Sequence, residues 1–367
     1  MENENKKECV INGTVVIESE DVTNQIPSHL RSVFAEGALF LLYEKENGEC
    51  ALQIAQELKR SGYRVSCAST DDYLSGSYVA PDYIRYAFVV GAERAIGVAK
   101  HFAQARDIGF CVFLTAPDCD DVLCGKSPNM VFIDKNVLKN CSCEQLAAGY
   151  GIVMSKRIAD FENMFARKVL SMQEDEIEQC DFEKLKDASD VAMSLLRFSS
   201  KKKRRDSAEI TASVMRALAL SKGRKPRLAG EYRFLASVAI CSFYSLFLGS
   251  PSIDSSPPAC REESFDKLDK LKVEPITPKC VDFFDINGYF RIDYILSEYR
   301  MDFLEKLAGI DVHGMQRFWR RLYDDAGYWL KAEITASETL SCMALAGAMS
   351  DNLLGYAYAS GFMKRFG

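Results

Sequence analysis

The feature that most constrains this chain is an alternation of short apolar runs with helical stretches that stops near residue 144. Residues 38–43 (ALFLLY) are apolar throughout, residues 49–60 repeat apolar side chains at helical spacing, and Gly62 interrupts. Residues 63–68 then alternate as a strand does. Residues 86–90 (YAFVV) form the next apolar run, 94–105 the next helix, 110–114 a further strand and 130–133 a short one. Strands separated by helices predict a parallel sheet covered on both faces. Ahead of them, VINGTVVI over residues 10–17 predicts a hairpin turning at Asn12-Gly13. Residues 1–37 as a whole read as a lead-in to that sheet.

After residue 144 the strand signals give way to helices. Ile158, Phe161, Phe165 and Val169 recur at spacings of three and four, which predicts an amphipathic helix over 155–172. Similar patterns cover 182–198, 208–220, 229–248, 292–308 and 335–362, the signature of a helical bundle. Residues 249–258, GSPSIDSSPP, read as a loop. A length of 367 residues suits two domains. The fold class expected is an α/β Rossmann-like domain over 1–145 followed by an all-α domain over 146–367.

Bulk properties exclude some function classes. With 48% hydrophobic and 27% charged residues the chain can bury a core, and a net charge of -6 gives no general attraction to nucleic acid or an anionic membrane. The first residues, MENENKKE, carry no apolar signal region, and the longest apolar run, 234–248, is shorter than a bilayer span. A soluble, cytoplasmic protein without a membrane partner is expected. Residues 201–205, KKKRR, read either as a polyanion patch or as a solvated inter-helix loop. Aromatics are not interleaved with them, so nucleic acid is not the expected partner. Thirteen cysteines without a CxxC pair read as reduced thiols, mostly small buried apolar groups. Three histidines, His29, His101 and His313, stand far apart, which argues against a structural zinc site.

The candidate site is the stretch 86–100, YAFVVGAERAIGVAK, in which a buried strand runs through Gly91 into a helix. Free N–H groups and the dipole at such a helix start favour an anion. Gly91 and Gly97 give neither GxGxxG nor the P-loop spacing, so a plain turn and an anion-binding turn both stay open. Asp118, Asp120 and Asp121 fall near the carboxyl edge of the sheet, where open α/β folds bind ligands. They read as acid–base or cation-binding groups, or as a solvated loop. His101 reads as a helix-surface residue.

The order of these motifs resembles the dehydroquinate synthase-like superfamily over roughly residues 38–250, most of all its glycerol-1-phosphate dehydrogenase and iron-containing alcohol dehydrogenase branches. The resemblance implies that Glu44, after the first strand, holds the adenine ribose of NAD(P). The family turn GGGSxxDxxK, which binds the pyrophosphate, resembles Gly91-Ala92-Glu93-Arg94-Ala95-Ile96-Gly97-Val98-Ala99-Lys100. Gly91 and Lys100 match; Ala92 and Glu93 replace the second and third glycines, and Gly97 replaces the aspartate. A Glu93 carboxylate repels a pyrophosphate, with Arg94 as a partial offset. PTxxSTD resembles the stretch from Leu114 to Asp120, with Thr115 and Asp120 matching. Phe132-Ile133-Asp134-Lys135-Asn136-Val137-Leu138 resembles the family's next strand and also reads as an ordinary strand entering a turn. Asp160-Phe161 resembles a family helix position and reads as packing.

Family enzymes hold zinc or iron with one carboxylate and two histidines. The family's GxGD is here Gly149-Tyr150-Gly151-Ile152, with isoleucine at the ligand position. In the histidine motif Pro226 and Glu231 match, but Tyr232 and Ala236 stand where histidines belong, and His313 comes too late. No metal is therefore expected. The resemblance implies an NAD(P)-dependent dehydrogenase of glycerol phosphate or a related polyol. The departures lead to the expectation of a catalytically impaired relative, a pseudoenzyme or binding subunit. The alternative is an active NAD(P)-dependent oxidoreductase, with Asp120 and Lys100 as catalytic residues and Glu44, Gly91, Ala92, Glu93 and Thr115 holding the cofactor. Expected partners are a nucleotide or polyol phosphate and a second copy of the chain.

Overall fold

A computed structural model of the chain describes residues 7–34, 37–120, 122–169, 185, 187–198, 206–225, 227–250, 261–273, 286–310, 312–313, 317, 334–350, 352–360 and 362–363. Asp121, Pro226, residues 201–205 and most of the loop 249–258 lie outside the described residues. The chain forms two compact units: Met1–Gly149 with Asp181–Lys202, and Tyr150–Cys180 with Lys203–Gly367.

The first unit is built on seven strands: β1 (Lys7–Ile11), β2 (Thr14–Ser19), β3 (Ala38–Tyr43), β4 (Arg64–Ser69), β5 (Tyr86–Gly91), β6 (Gly109–Leu114) and β7 (Met130–Asp134). Their order across the sheet is β1-β2-β7-β6-β5-β3-β4. Every pairing is parallel except β1 with β2. The hairpin turns where expected: Ile11 faces Thr14 across Asn12 and Gly13, whose φ values of 48° and 79° suit a two-residue turn of primed type.

Residues 1–37 are more than a lead-in. β2 runs beside β7, with Val16 opposite Val131 and Ile17 opposite Phe132, and α1 (Ile26–Val33) buries Ile26 and Leu30. The partner of β2 lies more than a hundred residues on, so no local pattern announces the pairing.

Side chains alternate between the two faces of the sheet. Phe40, Leu42, Val89, Val112 and Leu114 share one core with Ala95, Ile96, Ala99 and Phe102 of α4 (Glu93–Ala105). Leu39, Leu41, Phe88, Val90 and Phe113 share the other with α1 and with Ile54 and Leu58 of α2 (Gly48–Arg60). Each fully buried side chain of this size contributes about 1.5–3 kcal/mol. Two short helices, α3 (Thr70–Leu74) and α5 (Lys135–Lys139), follow β4 and β7 directly. β3 has β4 on one side and β5 on the other, so the chain reverses its direction of travel across the sheet there. In open α/β sheets such a reversal is where ligands bind, here at the carboxyl ends of β3 and β5.

The boundary between the units falls inside α6 (Cys143–Lys168). The sequence places the start of this helix at 155, and the structure corrects that by twelve residues. Gly149 and Gly151 look like breakers but are contact points. A Cβ on Gly151 would lie 1.9 Å from the Gly230 carbonyl oxygen, and one on Gly149 would lie 2.9 Å from Val191 Cγ1. Next comes α7 (Ala188–Phe198), whose Ala188, Ala192 and Leu196 join the α4 face of the sheet.

The second unit is helical: α8 (Ser207–Ser221), α9 (Ala229–Gly249), α10 (Arg261–Lys270), α11 (Ile286–Ala308), α12 (Ala336–Met349) and α13 (Leu353–Ala359). The single helix expected over 335–362 is two. Asn352 accepts from Leu354 N–H at 3.1 Å and Gly355 N–H at 3.3 Å, restarting the helix as α13. The apolar run 234–248 belongs to the 21-residue α9, which is long and apolar enough to cross a membrane by length and composition. Tyr232, Ile240, Tyr244 and Phe247 on this helix are nevertheless buried against the other helices of the unit.

Candidate functional site

The carboxyl end of the sheet at this reversal is formed by the segments that leave β3, β5 and β6. Glu44 departs from β3 with its own N–H on the Val90 carbonyl, 3.2 Å away, which ties it to the end of β5. From there its carboxylate reaches the start of α4. Oε2 accepts from Ala92 N–H at 3.1 Å and Oε1 accepts from Ala95 N–H at 3.4 Å. These are unpaired donors of the first helical turn, and a carboxylate there is favoured by about 0.3–1 kcal/mol. The retained Gly91 has a local cause. A Cβ at that position would lie 2.7 Å from Ala95 Cβ and 3.0 Å from the Glu44 carboxyl carbon.

Asn47, in a short 3-10 turn after β3, completes the cluster. Its Nδ2 donates to Glu44 Oε2 at 3.3 Å and to Thr115 Oγ1 at 3.0 Å. Thr115 in turn donates its N–H to the Gly91 carbonyl at 3.3 Å. Glu44, Gly91, Ala92 and Thr115 are thus brought together. Glu93 is exposed in the first turn of α4, and Arg94 turns away to Asp71, 2.7 Å from it.

Two sequence-predicted residues stand elsewhere. Lys100 lies seven residues along α4 from its start, about 10 Å at a helical rise of ~1.5 Å. It donates to the Cys124 carbonyl at 2.8 Å. Asp120 is buried with Asp118 in the segment after β6. His101 is exposed on α4, as expected.

Electrostatics at this edge are acidic. The Glu44 carboxyl is raised, chiefly by burial, with the Ala92 and Ala95 hydrogen bonds pulling the other way. Burial drives the Cys119 thiol well above its ordinary range, and Asp118, Glu93, Glu44 and Asp120 add to the rise in that order. Cys141 is pushed up to about 11 by burial first and Asp118 second. A pyrophosphate fits this turn poorly: two of the N–H groups that would receive it already bind a carboxylate, and further carboxylates surround it.

The metal-ligand positions fit no better. Ile152 and Ala236 are buried and offer no donor atom. The Tyr232 hydroxyl is buried and accepts from Arg227 N–H at 3.4 Å. Glu231 accepts from Arg227 at 3.2 Å and from Leu228 N–H at 3.1 Å, capping α9. Among the described residues no three His, Cys, Asp or Glu side chains group as a metal site. Asp134 also has a local role: it caps α5, accepting from Asn136 N–H at 2.9 Å, and accepts from Val22 N–H at 3.0 Å.

Sequence reasoning missed Asn47, whose only signal is its place three residues after Glu44. It also missed that Glu44 would point back at the turn, because the pairing joins residues 48 positions apart.

No protein-family model matches the chain, and no curated protein matches it. Solved structures do. A glycerol dehydrogenase from Schizosaccharomyces pombe is 13% identical over 88% of this chain and 94% of its own, at a TM-score of 0.47. A 2-deoxy-scyllo-inosose synthase is 14% identical over 78% and 88%, at 0.46. The NADH-dependent butanol dehydrogenase A of Thermotoga maritima is 14% identical over 94% and 100%, at 0.47.

Proposed function

We propose that this chain keeps a dehydrogenase-type architecture without metal-assisted hydride transfer, and that it serves a binding or scaffold role. One observation carries the reading: the Glu44 carboxylate, 3.1 Å from Ala92 N–H, sits where a dinucleotide phosphate would be received. The chain supplies its own anion to the turn. The residue types Ile152, Tyr232 and Ala236 support the reading independently, since no imidazole or carboxylate stands at any of the three ligand positions. Without a cation, a hydroxyl substrate has no Lewis acid to steady its alkoxide.

The test is a titration of the purified full chain with NADH and NADPH by calorimetry, alongside elemental analysis for zinc and iron. The expected result is no binding in the micromolar range and no stoichiometric metal. Micromolar cofactor affinity, or one metal ion per chain, overturns the proposal. In the E44A variant the helix start is released, and affinity for inorganic pyrophosphate is expected to rise by roughly five-fold, about 1 kcal/mol.

A further inference from the structure

The helical unit contains a polar cluster in its core that the proposed function does not use. Glu162, on α6, is buried. Its Oε2 accepts from Ser207 N–H at 3.0 Å, at the start of α8, and from Asn352 Nδ2 at 3.1 Å, at the cap of α13. Its Oε1 accepts from the Tyr244 hydroxyl of α9, and the Ser207 hydroxyl lies 3.1 Å from that phenol. Four helices therefore meet on one carboxyl group, and the Phe161 ring packs on that of Tyr244 with centroids 5.4 Å apart.

Asp206 caps α8, accepting from Glu209 N–H at 2.8 Å, and its carboxylate disfavours a second charge beside it. From α9 come the Tyr244 phenol and the Cys241 thiol, both raised first by burial and second by the Glu162 charge. α13 contributes the neutral Asn352. The hydrogen bonds that the carboxyl accepts from Ser207 and Tyr244 favour the anion, whereas burial and the nearby Asp206 carboxylate favour the acid and outweigh them.

We propose that Glu162 is a buried proton-binding site that couples the packing of α6, α8, α9 and α13 to pH. Burial first and Asp206 second push its carboxyl from 4.5 up to about 7. The direction of the pH dependence comes from that rise. Between the ordinary and the shifted value the folded chain holds a proton that the unfolded chain has lost. The stabilisation is complete below the lower value, declines as pH rises, and is gone above about 7.

The experiment compares thermal unfolding of the full-length chain and of E162Q from about pH 5 to about pH 8. E162Q carries the neutral form at every pH. Its midpoint relative to the wild type is expected to climb with pH and level off above about 7, with the ratio of folding constants changing on the order of a hundred-fold. A constant difference across the range overturns the proposal. If E162Q does not fold, infrared spectra of the wild type and Y244F decide. A protonated carboxylic C=O band at about pH 6 that fades by about pH 8, and is displaced in Y244F, supports the site; its absence at about pH 6 refutes it.

Discussion

Glu44 in the α/β unit and Glu162 in the helical unit are both carboxylates set against the start of a helix, and they differ in their surroundings. Glu44 takes two backbone N–H groups and the Asn47 amide at a sheet edge, where it stays half-exposed. Glu162 takes one backbone N–H, one phenol and one amide in a fully buried core. Burial is the leading cause of the rise in both, and each has a neighbouring carboxylate that adds to it. Asp206 ranks second at Glu162, whereas Glu46 at Glu44 ranks below the Ala92 and Ala95 hydrogen bonds that oppose the rise. The number of donors is similar, so donors alone do not set the ionisation. Access to solvent and a neighbouring like charge do.

The largest expected effect breaks the buried side of this comparison. E162A leaves the Ser207 N–H, the Tyr244 hydroxyl and the Asn352 amide short of their shared acceptor inside the core. A buried group left unsatisfied costs about 1–3 kcal/mol. Partial relaxation should bring the total to about 3–4 kcal/mol. Denaturant unfolding followed by the fluorescence of the helical unit measures it. A loss under about 1 kcal/mol would mean that the cluster is only loosely held.

How much of this could be read from the residues alone depends on sequence distance. The parallel strands and the amphipathic helices announce themselves, because their periods are local. β5 and α4 were legible from YAFVVGAERAIGVAK, with a plain turn and an anion-binding turn both open between them. The occupant of that turn was not, since Glu44 arrives from another strand and its orientation depends on tertiary contacts. The start of α6 was hidden for a related reason: Gly149 and Gly151 look like breakers until their close neighbours are known. Glu162 gave no signal at all, being one carboxylate among 52 acidic residues with partners up to 190 positions away.

An intermediate effect is expected at Asn352, which serves two roles. It caps α13 through its carbonyl oxygen and donates to Glu162 through its amide. N352A removes a cap worth about 1 kcal/mol and one buried hydrogen bond of similar size, so a loss of about 2 kcal/mol is expected. N352D retains the cap and adds a carboxylate beside Glu162, and it should grow less stable as pH rises. Equal stability of the two variants at about pH 8 would separate the cap from the cluster and contradict the shared role.

On the more exposed side, G91A places a methyl group 2.7 Å from Ala95 Cβ and 3.0 Å from the Glu44 carboxyl carbon. Something must shift, at a cost of about 1–2 kcal/mol. The Glu44 side chain is the more mobile neighbour. The expected outcome is therefore a Glu44 carboxylate displaced from the helix start. A crystal structure of the variant with Glu44 still on Ala92 N–H would show that the backbone yields instead.

The smallest effect is expected from E44Q, because two contributions oppose each other there. The amide retains an oxygen for the Ala92 N–H, sheds the burial cost of the charge and gives up about 0.3–1 kcal/mol of interaction with the helix dipole. Its stability near neutral pH should stay within about 0.5 kcal/mol of the wild type. The raised carboxyl means that the wild-type residue contributes most below the ordinary carboxylate range and loses that contribution as pH rises through its shifted value. E44Q should therefore gain on the wild type across the same rise in pH. For E162Q the gain continues to about 7. Thermal unfolding of the two single variants and the double variant over one pH series resolves both windows. If E44Q instead loses more than about 2 kcal/mol at neutral pH, the backbone N–H bonds outweigh burial, and the carboxylate at the turn is a strongly held internal ligand.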